Sequence, residues 1–187
     1  MGELLRILLI GLLFPVAVEL VKKIISFSYD DKTSELLILD DKGKKHSLHV
    51  DKEISASDLT VRISRAISMS EAVNSLVAKF AEDYGCGLLL DNSFDFELRG
   101  VSKSIAIEIK GSSANLGRNI LEKYLHIIET NRIDVLVLII VDDKVGVSNQ
   151  LHRDIEDLKI NVVPLFCKSS EKVAKPLKEI LELLISQ

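Results

Sequence analysis

Apolar residues change their spacing several times along this chain, and each spacing predicts a different element. Ile7 to Val18 reads ILLIGLLFPVAV without a charge, with Arg6 before it and Glu19, Lys22 and Lys23 after it. Apolar side chains at every helical angle exclude an amphipathic surface helix, so protein or lipid must cover this segment all round. Stretched from Leu4 to Ile25, it reaches the roughly 20 residues of a membrane span, with Arg6 and the lysines at the rims. A membrane anchor over residues 4–25 and a buried or assembly helix over residues 1–26 both stay open, and Pro15 kinks either one. Glu3 beside Arg6, and no small-residue cleavage site, fit a cleaved signal peptide poorly.

Glu35–Leu39 and Lys45–Val50 are β-rich runs around an Asp/Gly-containing turn, which predicts a hairpin. Lys42, Lys44 and Lys45 there read as a solvated cluster before they read as a basic wing for nucleic acid. Ser55-Ala-Ser-Asp58 suits the start of a short helix, while Leu59–Ile63 fits helix or strand. Ser68-Met-Ser-Glu71 is a capping-box pattern ahead of a helix striped by Ala72, Val73, Leu76, Val77 and Phe80, with Gly85 and Gly87 ending it. Strands are expected near Gly87–Leu90, Phe94–Leu98 and Ser104–Lys110, then a helix from about Asn115 to Glu129. Ile133–Val141 is almost wholly apolar and suits a strand covered on both faces. A helix near Ser148–Leu158, a strand at Asn161–Phe166 and a helix from a Ser169/Ser170 cap to about Ser186 complete the chain. This order predicts an α/β fold: a mixed central sheet flanked by helices, preceded by the apolar helix and the hairpin. The expected parts are residues 1–26, residues 27–67 and an α/β domain at 68–187.

Composition narrows this little. With 187 residues and 47% hydrophobic content, the chain can bury a real core. A net charge of −4 argues against a strong non-specific nucleic-acid binder. Two distant cysteines, Cys86 and Cys167, make no zinc or disulfide framework and point to a reducing, cytoplasmic setting. If residues 4–25 anchor the chain, Lys22 and Lys23 keep the rest at the cytoplasmic face of the membrane. The four histidines lack ligand spacing, and no phosphate-binding glycine loop or Gly-x-Ser-x-Gly elbow is present.

The chemistry lies in Asp95, twelve residues, then Glu108-Ile109-Lys110. On a strand, Glu108 and Lys110 share one face while Ile107 and Ile109 turn to the other. If the Asp95 segment and the Glu108 segment form a hairpin, Asp95, Glu108 and Lys110 converge. Two close carboxylates repel unless a hard cation such as Mg²⁺ lies between them, and a neighbouring lysine can orient a water or stabilise phosphate charge. Glu97 shares the face of Asp95 and is a further candidate ligand. Arg118 and Lys123 on the next helix can meet phosphates, and Ser112 can contact a phosphate or cap that helix.

This pattern resembles the PD-(D/E)xK nuclease superfamily, whose restriction-endonuclease-like fold is shared with archaeal Holliday-junction resolvases. The resemblance covers about residues 68 to 167. It implies a helix–hairpin–helix–strand core and Mg²⁺- or Mn²⁺-dependent cleavage of DNA by an endonuclease. Asp95 and Glu108 would be metal ligands and catalytic residues, Ile109 would lend its backbone carbonyl, and Lys110 would assist the attacking water. Glu71 matches a helix carboxylate that many members use as a further ligand. Members often dimerise, so a homodimer is implied. Phe94 stands where the family has proline, and Ile120 replaces the glutamine of the Gln-x-x-x-Tyr pattern that ends at Tyr124. Tyr124 by itself reads as a core residue. The alternative is a non-catalytic nuclease-fold protein serving as a membrane-associated or assembly module. A module unrelated to nucleases would leave Asp95 and Glu108 apart.

Overall fold

The computed structural model describes residues 24–30, 35–41, 45–50, 54–90, 93–100, 102–111, 116–141 and 149–186. The expected membrane segment 4–25 and the helix 1–26 lie almost wholly outside these, as do Lys42, Lys44 and Ser112. One part of that expectation is corrected: Ile24–Asp30 forms strand β1, so the helix does not reach residue 26. Two β-branched isoleucines followed by alternating exposed Ser26 and Ser28 favour an extended backbone there. Among the described residues, no helix is long and apolar enough to cross a membrane.

Contacts divide the chain between Ser68 and Met69. In the first unit β1, β2 (Glu35–Asp40) and β3 (Lys45–His49) form an antiparallel sheet in that order. Leu36 and Ile38 are buried while Leu37 between them is exposed, the alternation of a half-covered sheet. Leu59, Ile63, Ala66 and Ile67 recur at helical spacing and pack with Leu36, Ile38, Leu48 and Val50. The same inner side buries an acid–base pair, His46 Nε2 and Asp40 Oδ2 at 2.8 Å.

Those four helical residues belong to α1 (Ala56–Tyr84), which begins a full three turns before the expected capping box. Its true start is Ser55: the Asp58 N–H donates to Ser55 Oγ at 3.1 Å, and the Leu59 N–H to the Ser55 carbonyl at 3.0 Å. Ser68 sits inside the helix, its hydroxyl donating to the Ser64 carbonyl at 2.8 Å. Buried apolar residues recur every three or four positions through Leu59, Ile63, Ala66, Met69, Val73 and Val77, and that continuity overrides a local cap signal.

The second unit holds a five-stranded mixed sheet in the order β4 (Gly87–Leu89), β5 (Phe96–Arg99), β6 (Ser104–Lys110), β7 (Val135–Ile140) and β8 (Val162–Phe166). The first three strands form an antiparallel meander, and β6, β7 and β8 run parallel. Parallel neighbours need crossovers; here they are α2 (Arg118–Asn131) and α3 (Asn149–Leu158). A final helix, α4 (Ala174–Ser186), follows a short 3₁₀ turn at Ser170–Lys172.

Helices cover both faces. Met69, Val73 and Val77 of α1, with Leu177 and Leu181 of α4, pack on Phe96, Leu98, Ile105, Ile107 and Val137. Leu121, Tyr124 and Ile128 of α2, with Leu151 of α3, pack on Ala106, Leu136 and Leu138. Every residue of β7 is buried, as its unbroken apolar run predicts. Each buried Val, Leu or Ile side chain of this core contributes about 1.5–3 kcal/mol of transfer free energy. The sheet is therefore a rigid floor for whatever side chains stand on it.

Candidate metal centre

Glu97 pairs with Ala106 across the β5–β6 ladder, and Phe96 with Ile107. Partners share a face, so Phe96, Leu98, Ile105 and Ile107 look towards α1 and α4. Glu97, Ser104, Ala106, Glu108 and Lys110 look towards α2. The expectation that Glu108 and Lys110 share a face is met, but that face is roofed by a helix rather than open to solvent.

Asp95 lies in the bend just before β5, not within the strand, and the register extended by one residue sets it opposite Glu108. The Asp95 N–H donates to Glu108 Oε2 at 3.1 Å. In return the Ile109 N–H donates to Asp95 Oδ2 at 2.7 Å. Each of these two acids thus has a backbone donor from the other's segment. Lys110 Nζ is 2.8 Å from Glu108 Oε1, and the Tyr124 hydroxyl donates to the same oxygen at 3.3 Å. Phe94 packs on the Tyr124 ring with centroids 5.8 Å apart. The Lys110 and Glu108 side chains are 25% and 13% exposed, so the group is sheltered yet reachable from one side.

The electrostatics follow from this enclosure. Burial first, and then the negative charge of Asp95, push the Glu108 carboxyl above its ordinary value; Lys110 and the Asp95 N–H pull it back in part. Burial works against a charged Lys110, but Glu108 and Tyr124 outweigh it, and the ammonium is held above its ordinary value. Burial, and then Glu108, raise the Tyr124 hydroxyl, which therefore stays protonated as a donor.

A buried carboxylate beside a second acid is the chemistry a divalent cation relieves. Asp95 and Glu108 supply hard oxygen donors. A strand residue's N–H and C=O point to the same edge, so the Ile109 carbonyl also faces the Asp95 side; the Lys110 carbonyl, which accepts from Val141 N–H at 2.8 Å, faces the β7 side. Two carboxylates and one carbonyl are the donor types that an oxygen-ligated cation takes, with water completing its shell. Among the described residues there is no group of three or more Asp, Glu, His or Cys side chains that could hold a metal ion.

The further candidate ligands do not join this group. Glu97 is buried and turned the other way, towards Arg99 Nε at 2.5 Å and the Ser104 hydroxyl at 3.2 Å. Glu71 lies on α1, whose core-facing residues pack on the opposite face of the sheet from Glu108. It is also mid-helix, so the capping box offered for it does not exist. Arg118 is tied to Glu122 at 3.2 Å and to Asp157 at 3.5 Å, both exposed pairs, and Lys123 is exposed on α2.

Tyr124 has a role at the site beyond the core position that its sequence context predicts. It is buried as a core residue should be, but its hydroxyl ends on Glu108. The signal was its place at the end of the Gln-x-x-x-Tyr pattern, discounted because Ile120 stands at the other end. Compared with known proteins, this chain matches no family model and no curated sequence.

Proposed function

We propose that this chain is a Mg²⁺- or Mn²⁺-dependent DNA endonuclease with a PD-(D/E)xK-type site on a restriction-endonuclease-like fold. The observation that carries the reading is the reciprocal pairing of Asp95 with the Glu108-Ile109 segment, Asp95 N–H to Glu108 and Ile109 N–H to Asp95, with Lys110 alongside. The spacing in sequence and the meeting in space both favour one site. The helix, three-strand, helix, strand order also supports it.

Asp95, Glu108 and the Ile109 carbonyl would hold the cation, which when bound lowers the pKa of a water and polarises a phosphoryl oxygen. Lys110, kept protonated, stabilises charge developing on the phosphate and orients the attacking water. Tyr124 and Phe94 fix the Glu108 side chain and exclude bulk water from its α2 side. DNA as substrate, a homodimer and membrane attachment through the apolar segment that precedes β1 belong to the proposal.

Purified protein with Mn²⁺ is expected to cut at least one of duplex, single-stranded, flap or four-way-junction DNA. Asp95→Ala, Glu108→Ala and Lys110→Ala should each abolish that cleavage while leaving the circular dichroism spectrum unchanged. Failure to cut any of these forms would sink the enzyme reading. One observation favours a second reading: Glu108 already has three donors within the chain. A non-catalytic nuclease-fold module for assembly or membrane association would need nothing more. It predicts no Mn²⁺ binding that Glu108→Ala removes.

A further inference from the structure

Two carboxylates and one ammonium group meet near the C-terminal end of β6. Lys110 Nζ takes Glu108 Oε1 at 2.8 Å, an oxygen it shares with the Tyr124 hydroxyl. Glu108 Oε2 faces the Asp95 N–H. A cation ligand needs lone pairs directed at the ion, and every donor already on Glu108 competes for them. The donors are unequal. Tyr124 and the Asp95 N–H are neutral, whereas Lys110 carries a full charge that repels a second cation at close range.

We propose that Lys110 is an internal counter-ion, which occupies Glu108 in the cation-free protein and weakens the affinity of the Asp95–Glu108 pair for a divalent cation. The proposal rests on reading Asp95 and Glu108 as a cation site. Cation entry then requires Lys110 to give up Oε1. The lysine keeps a partner when it does so: its Nζ already lies over the Tyr124 ring, 5.7 Å from the centroid, and that face attracts a cation. Because the Lys110 side chain is 25% exposed, it can make that move without crossing the core. The same group that assists the phosphate when the site is loaded thus neutralises the site when it is empty.

Isothermal titration of Mn²⁺ into the full chain tests this with no cleavage assay. Lys110→Met is expected to bind Mn²⁺ about tenfold or more tightly than the unsubstituted protein, the effect of removing one charge at this range in a partly solvated site. Lys110→Arg keeps the charge and should not tighten binding. Lys110→Gln carries the same expectation as Lys110→Met and replaces it if the methionine variant does not fold. Equal or weaker binding by the uncharged variants, with binding by the unsubstituted protein lost in Glu108→Ala, overturns the counter-ion role and leaves the cation site standing. No Glu108-dependent binding in any of these proteins overturns both.

Discussion

Glu97-Leu98-Arg99 and Glu108-Ile109-Lys110 are the same pattern, an acid and a base two residues apart, on neighbouring strands and on one face of the sheet. Both glutamates pair with the base that follows, Glu97 with Arg99 at 2.5 Å and Glu108 with Lys110 at 2.8 Å. Their surroundings differ. Glu97 is held by the Arg99 cation and the Ser104 hydroxyl. Its arginine is 54% exposed and spreads its charge into water. Glu108 is brought against Asp95, so one ammonium faces two carboxylates. A Glu-x-base motif is therefore a closed ion pair by default, and becomes a candidate site only where the fold adds a second acid.

The sharpest way to break this comparison is to exchange the roles of the two glutamates. Asp95→Ala and Glu108→Ala are expected to lower Mn²⁺-dependent cleavage by more than about 100-fold, since loss of an outer partner of a metal ligand alone costs about 10–100-fold. Glu97→Gln should stay within a few-fold of the unsubstituted protein in the same assay. If Glu97→Gln proves as damaging as Glu108→Ala, the two pairs are not different in kind.

Stability gives the next largest effect. Lys110→Met leaves Glu108 without its ammonium partner and should cost about 3 kcal/mol in urea unfolding, the lower end for breaking a buried pair because both side chains are partly exposed. Adding Glu108→Gln to Lys110→Met should restore most of that loss, as removal of both partners usually does. A double variant no more stable than the single one would show that Glu108 is not what Lys110 compensates.

The pH dependence is a subtler readout of the same excess charge. The Glu108 carboxyl is raised by burial and by Asp95, so the folded state still holds its proton where the unfolded chain has released it. Its contribution to stability therefore falls as pH rises from about 4.3, the ordinary glutamate value, to the raised folded value, and is level above it. Thermal midpoints of Glu108→Gln followed over that interval should lack this downward component. Curves that run parallel for the two proteins would remove the excess-charge account.

The smallest expected change is at the closed pair. Arg99→Ala removes an exposed partner and leaves Glu97 its Ser104 donor, for a loss of about 1 kcal/mol in the same unfolding measurement. A loss as large as that of Lys110→Met would mean that exposure does not separate the two pairs.

Much of the fold was legible where one periodicity ran without competition. Ser104–Lys110 matches its strand end to end, and the run Ile133–Val141 contains β7 because burial on both faces demands unbroken apolar residues. Legibility failed where two local signals competed. Ser68-x-x-Glu71 imitates a helix start inside α1, and Ile24 and Ile25 continue an apolar run while already lying in β1. At the site, Asp95 and Glu108 were readable because a hairpin of fixed register sets residues thirteen apart against each other. Tyr124 and the turning away of Glu97 were not, because both depend on how α2 crosses the sheet and on which donor a side chain finds.

By itself, the sequence determined the order of the elements from α1 onward, the faces of strands β5 and β6 and the acids that could meet across the β5–β6 turn, since all of these follow from local periodicity and short-range register. Only the tertiary structure decided that the face carrying Glu108 is covered by α2, that Tyr124 closes on it, that Glu71 stands in another layer, and that one Glu-x-base pair meets a second acid while the other meets a hydroxyl. Those outcomes depend on which charges and donors from distant segments arrive at the same buried oxygen, and a one-dimensional pattern does not carry distances.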